Sequence, residues 1–119
     1  MLDLTPDQIV DSFVVETRPD RERVIVAPRG ELDIATVGRV AAEIDELVAV
    51  GFTGLVLDLR GLTFMDVSGL RFAVGQAGRH DATVTLIDGP PAVARLFDLA
   101  GVRAELPFSS PRELARRRF

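Results

Sequence analysis

Ser68 is the residue most open to chemistry in the chain, because of its place before a helix. The run Asp66-Val67-Ser68-Gly69-Leu70 reads as a loop entering a helix from about Gly69 to Arg79, so the hydroxyl meets unpartnered backbone N–H groups at the positive end of the helix dipole. There it can cap the helix as an ordinary N-cap serine, with Gly69 leaving it uncrowded, or accept a group from another protein. It is poorly placed as a hydrolase nucleophile, which needs a base and an oxyanion hole. The lone histidine, His80, falls at the far end of the same helix. At a rise of ~1.5 Å per residue, twelve residues put it about 18 Å away.

A second segment, Gly30-Glu31-Leu32-Asp33, lies between a strand and a helix. Gly30 suits a turn conformation and Asp33 a helix cap. Two carboxylates could also serve acid–base or metal chemistry, but no histidine or third acid completes such a site. In the helix after Ser68, Leu70, Ala73, Val74 and Ala77 form the expected buried stripe. Phe72, Gly75 and Arg79 then point away from it, and an apolar ring beside a glycine and an arginine reads as a docking patch. That reading predicts that Phe72→Ala weakens partner binding while leaving thermal stability almost unchanged.

The composition narrows the chemistry further. Cysteine is absent, as are Tyr and Trp. This excludes a disulfide framework, a thiolate zinc site and a cysteine nucleophile. All fourteen basic residues are arginine, so no Schiff-base lysine and no lysine-bearing phosphate loop exist. Eighteen acidic residues leave a formal net charge of −4, against direct nucleic-acid binding, which favours a basic face. No apolar run approaches the ~20 residues of a membrane span, and the start lacks signal-peptide zones. A cytoplasmic domain without metal or cofactor, and not itself an enzyme, is the expectation.

The elements that must position these residues fit one domain of 119 residues. Residues 1–12 read as an N-terminal extension, with a capping-box spacing at Thr5-Pro6-Asp7-Gln8 that suits a short helical turn. Residues 13–119 form the domain. Phe13–Thr17 and Val24–Ala27 read as an antiparallel strand pair joined by the polar turn Arg18–Glu22. Val37, Val40, Ala41, Ile44, Leu47 and Val48 recur at helical spacing, with Gly51 as the stop. Leu55–Leu59 suits a central strand covered on both faces, and Thr83–Ile87 another strand. Pro90-Pro91 opens a helix with Val93, Leu96, Phe97 and Ala100 on one face and Gly101 at its end. Ser110-Pro111-Arg112-Glu113 is a capping box, and Arg116-Arg117-Arg118 sits at the cation-favouring end of that last helix. The sum is an α/β domain with a mixed sheet of four or five strands and packed helices.

These segments in order resemble the STAS-domain family, particularly bacterial anti-sigma-factor antagonists (anti-anti-sigma factors). The resemblance rests on Gly30-Glu31-Leu32-Asp33, Leu55–Leu59, Thr63-Phe64-Met65-Asp66-Val67-Ser68-Gly69-Leu70 and Arg95-Leu96-Phe97-Asp98-Leu99-Ala100-Gly101, and spans about residues 13–115. It implies a partner-switching function in transcription regulation. The unmodified protein would bind an anti-sigma factor that is also a serine kinase of the histidine-kinase-like ATPase fold. Phosphorylation at the serine before glycine, here Ser68, would release it, and a metal-dependent serine phosphatase would reset it. The Gly-Glu-Leu-Asp loop lies beside the phosphorylation loop in that family, which implies contact roles for Gly30, Glu31 and Asp33 together with Asp66, Val67 and Gly69.

One position departs from the pattern. Val67 stands where the family usually has Ser or Thr before the acceptor. A STAS-like regulatory or small-molecule-sensing module that is not phosphorylated is therefore the alternative. A response-regulator receiver, which would use an aspartate such as Asp58, lacks its expected acidic pair and its lysine here.

Overall fold

The computed structural model describes residues 12–116. The helical turn expected at Thr5–Gln8, as well as Arg117 and Arg118, lies outside the described residues. Among the described residues, five strands and four α-helices run in the order β1 (Val14–Asp20), β2 (Arg23–Leu32), α1 (Val37–Ala49), β3 (Gly54–Asp58), β4 (Leu62–Met65), α2 (Val67–Ala77), β5 (Thr83–Ile87), α3 (Pro91–Ala100) and α4 (Pro111–Arg116). The sheet is mixed, with order β1-β2-β3-β5 and β4 paired to β2. β1 and β2 are antiparallel, and β3 and β4 each run parallel to β2 while β5 runs parallel to β3.

The hairpin is tighter and longer than its sequence suggests. Arg18–Asp20 continue β1, and only Arg21 and Glu22 turn, with Arg21 at φ 63°. Pairing along the whole of Val14–Asp20 outweighs the weak strand preference of charged residues and proline. β2 likewise runs on through Gly30-Glu31-Leu32, the segment read from sequence as a connection. The Thr63–Met65 stretch, expected as loop, is most of strand β4.

The sheet has two apolar faces. On one, Val24, Val26, Leu55, Leu57, Val84 and Leu86 pack with Val40 and Ile44 of α1, Ala73 of α2, and Val93 and Phe97 of α3. The stripe expected for α1 and the Gly51 stop hold, Gly51 adopting φ +111°. Gly101 ends α3 in the left-handed conformation at φ 70°, as its position predicts. Ala100, however, is exposed rather than on the buried face.

On the other face, Ile25, Val56 and Ile87 pack with Leu114 of α4. Buried Arg23 donates from Nη2 to the Leu114 carbonyl at 2.6 Å and to Asp20 at 2.8 Å, tying α4 to β2. The α4 capping box forms as expected: Glu113 N–H donates to Ser110 Oγ at 3.1 Å, and Ser110 N–H donates to Glu113 Oε1 at 3.3 Å. Beside β5, the Phe108 segment lines the sheet edge, with Leu86 N–H donating to Pro107 O and Ser109 N–H to Leu86 O, each at 2.9 Å.

Candidate functional site

Two chain segments meet at the C-terminal ends of β2 and β4. Leu32 and Met65 face each other in register, and both are buried, so their apolar side chains anchor the residues that leave each strand. Asp66 N–H donates to the Leu32 carbonyl at 3.3 Å. The Glu31–Asp33 segment and the Asp66–Gly69 segment therefore lie side by side, as the resemblance implies.

Glycine is required at Gly30 because its φ is +110°, where side-chain-bearing residues are strained. The register between β2 and β4 also shifts between Gly30 and Glu31, a local irregularity that re-aims the strand end. Asp33 does not cap α1 as expected. The N-cap position is Thr36, and Asp33 folds the preceding turn by accepting Ala35 N–H on Oδ1 at 2.9 Å. Buried Thr36 locks that turn, donating from Oγ1 to the Glu31 carbonyl at 2.7 Å and accepting from Asp33 N–H at 3.0 Å. Thr36 escaped the sequence reading, since a Thr before a helix carries no signal for such a bond.

Ser68 is not the cap of α2. Asp66 is: its Oδ1 accepts Gly69 N–H at 3.0 Å, and the helix starts at Val67, two residues earlier than expected. Ser68 is thus the second helical residue, half-buried, with its hydroxyl free of the capping duty expected of an ordinary N-cap serine. Gly69 also has a different role from the one expected. A Cβ there would sit 2.5 Å from Met65 Cγ and 2.6 Å from the Leu32 carbonyl oxygen. The missing side chain lets α2 seat on the β2 terminus and carry Ser68 to the loop pair.

The helix face is rotated from the predicted one. Gly69 and Ala73 are buried, Phe72 packs against the core as a half-buried ring, and Val74 is exposed. The seating of Gly69 explains the difference: its close approach to Met65 and the Leu32 carbonyl turns inward the face that carries Gly69, Phe72 and Ala73, and leaves Val74 outside. Phe72 is therefore no solvent-facing docking ring. Arg79 is engaged too: it donates to Asp81 Oδ1 at 2.9 Å, Asp45 Oδ1 at 2.8 Å and Gln76 Oε1 at 3.0 Å, and the bonds to the two carboxylates push its pKa up. Only Gly75 of that trio stands open, with nothing near a would-be Cβ.

The two adjoining segments carry exposed apolar side chains and carboxylates together. Val67 is 54% exposed, and Ile34, which sequence reasoning missed, is 78% exposed. Glu31 is exposed and Asp33 and Asp66 are half-buried. An isoleucine in a turn has no periodicity to mark it as exposed. Only the turn held by Asp33 and Thr36 lifts it into solvent.

Among the described residues no three His, Cys, Asp or Glu side chains gather as a metal site, and no helix is long and apolar enough to cross a membrane. Asp58 is occupied by Arg60, which donates to Oδ1 at 3.0 Å and to Oδ2 at 2.8 Å. Burial would raise the Asp58 pKa, but the Arg60 hydrogen bonds and charge outweigh it and hold the carboxyl below its ordinary value.

A sequence model of the STAS domain matches residues 12–115. An anti-sigma F factor antagonist of Lysinibacillus sphaericus is 30% identical over 86 residues, covering 69% of this chain and 74% of that protein. The crystal structure of an anti-sigma factor antagonist from Mycobacterium paratuberculosis superposes with a TM-score of 0.72 at 23% identity, covering 85% of this chain and 87% of that one. The structure of the anti-sigma factor antagonist SpoIIAA in its unphosphorylated form matches with a TM-score of 0.65 at 25% identity, over 87% of this chain and 92% of the other.

Proposed function

The chain belongs to the STAS-domain family, and from that premise we propose that it is an anti-sigma-factor antagonist working by partner switching. The observation that carries the reading is the seating of Ser68 in the first turn of α2, against the Glu31–Asp33 segment and beside exposed Val67 and Ile34. Unmodified, this surface offers an anti-sigma factor exposed apolar side chains and carboxylates together. The anti-sigma factor is also the serine kinase, of the histidine-kinase-like ATPase fold, and it supplies the chemistry for which Ser68 is only the acceptor. A metal-dependent serine phosphatase returns the protein to its binding form.

The switch follows from charge. Phosphate adds about −1.5 to −2 at neutral pH, next to Glu31, Asp33 and Asp66. Docking then meets like-charge repulsion and the desolvation of a dianion. The domain itself stays folded, because the N-terminal end of α2 tolerates the new charge. Partner release is local blocking rather than refolding.

Incubation with the kinase encoded in the same genome and labelled ATP tests this. Label should enter the wild type, be absent from Ser68→Ala, and end the complex as it accumulates. Val67 favours a second reading, a STAS-like binding module that is not modified. Tight kinase binding with no transfer to Ser68 would establish that one instead.

A further inference from the structure

The two outer strands of the sheet are finished differently. β5 has the Phe108 segment against it, whereas β1 ends the strand order with no strand on its outer side among the described residues. An uncovered strand edge is a template for another strand. β1 carries its own complement. Glu16 and Arg18 pair with Ala27 and Ile25 of β2 and so share the face opposite α1, α2 and α3, since Ile25 packs under α4. Both are exposed.

We propose that β1 pairs antiparallel with β1 of a second copy about a two-fold axis at Thr17. In that register Glu16 of each copy faces Arg18 of the other. The neighbouring registers that keep the faces matched set Glu16 against Glu16 or Arg18 against Arg18, so charge selects the Thr17-centred one. The backbone agrees. The two-residue turn closes on the Asp20–Arg23 pair, so alternation directs the N–H and C=O groups of Glu16 and Arg18 to β2 and those of Val15, Thr17 and Pro19 outward. Thr17 then exchanges two bonds with its own copy, and each Val15 N–H meets the Pro19 carbonyl opposite. Pro19, which has no N–H to give, serves there as acceptor alone.

The existing Glu16–Arg29 pair, 3.0 Å apart with both side chains more than half exposed, leaves a Glu16 oxygen for the second contact. The contact is small, so association is weak, with a dissociation constant of about 0.1 mM.

Sedimentation velocity over concentrations spanning that value is the test. Wild type should shift from monomer to dimer. Glu16→Arg and Arg18→Glu, each placing like charges opposite at both symmetric positions, should weaken self-association roughly tenfold. Mixing those two variants should produce a heterodimer, and the doubly exchanged Glu16→Arg/Arg18→Glu protein should dimerise again. Because the chain has no cysteine, Thr17→Cys gives an independent readout: the paired Cα atoms would be ~5.5 Å apart, within the roughly 4.4–6.8 Å a disulfide spans. It should cross-link at least about tenfold faster than Ala104→Cys, an exposed site off this edge. A wild type monomeric throughout, equal cross-linking at both cysteines, or a folded charge-exchanged protein that stays monomeric overturns the proposal.

Discussion

Replacing Gly69 by alanine adds one methyl group where the structure has no room for it. The new Cβ would lie 2.5 Å from Met65 Cγ, 2.6 Å from the Leu32 carbonyl oxygen and 3.2 Å from Leu32 Cγ. Met65 can shift part of its side chain, but the Leu32 oxygen is backbone at the end of β2 and accepts the Asp66 N–H. Relief therefore means moving α2 off the sheet. Overpacking of this kind costs ~1–3 kcal/mol, and the backbone clash places Gly69→Ala at the upper end. Alanine returns about 0.5–1 kcal/mol through its better helix propensity. The net is a loss of about 2 kcal/mol, or roughly 8 °C in melting temperature for a domain of this size. Gly75→Ala in the same helix is the control. Nothing lies within 4 Å of its would-be Cβ, so it should raise stability by up to about 1 kcal/mol. Differential scanning calorimetry on both variants measures the contrast. If Gly69→Ala melts at the wild-type temperature, close packing is not why a glycine follows Ser68, and accessibility of the hydroxyl becomes the better reason.

Three further outcomes are expected. Phe72→Ala should lower stability by about 1.5–2.5 kcal/mol, roughly half the cost of truncating a fully buried Phe, because the ring packs on the core; an unchanged urea midpoint would restore it to the surface. Ser68→Glu should keep the far-ultraviolet circular dichroism of the wild type while losing affinity for the anti-sigma factor in titration calorimetry, and an unfolded variant would contradict local blocking. The Asp58 pKa is depressed by Arg60, so its contribution is present above the ordinary carboxylate range and is lost as pH falls through the lowered folded value. Asp58→Asn should accordingly reduce stability at neutral pH and flatten the acid limb of the stability profile, whereas an acid limb identical to wild type would show that the pair contributes nothing.

Periodicity made the regular elements legible. α1 was readable because Val40 and Ile44 recur at helical spacing on one side, and α4 because Ser110 and Glu113 satisfy each other across one turn. Where strand and loop chemistry compete, local sequence was a weaker guide. Thr63-Phe64-Met65 looks like a loop by its neighbours, yet it pairs with β2 as strand β4. That pairing is supplied by a segment some thirty residues away, and no local propensity encodes it. Arg18–Asp20 joined β1 through pairing as well, here with the neighbouring Arg23–Ile25 across a two-residue turn.

The sequence by itself determined the fold class, the family, and that Ser68 and the Gly30–Asp33 segment were the places to look. Those follow from residue types and spacings, which are local and survive in one dimension. Which side chains face outward was decided only by tertiary structure. Asp66 took the cap expected of Ser68, and the close approach of Gly69 to Met65 and the Leu32 carbonyl carries Phe72 inward and Val74 outward. Ile34 emerged because Thr36 bonds across its turn to Glu31. A helix turns 100° per residue, so the residue that seats against the sheet fixes which side chains face in, and here that seating is the approach of Gly69 to Leu32, a contact between segments far apart in sequence that no local spacing encodes.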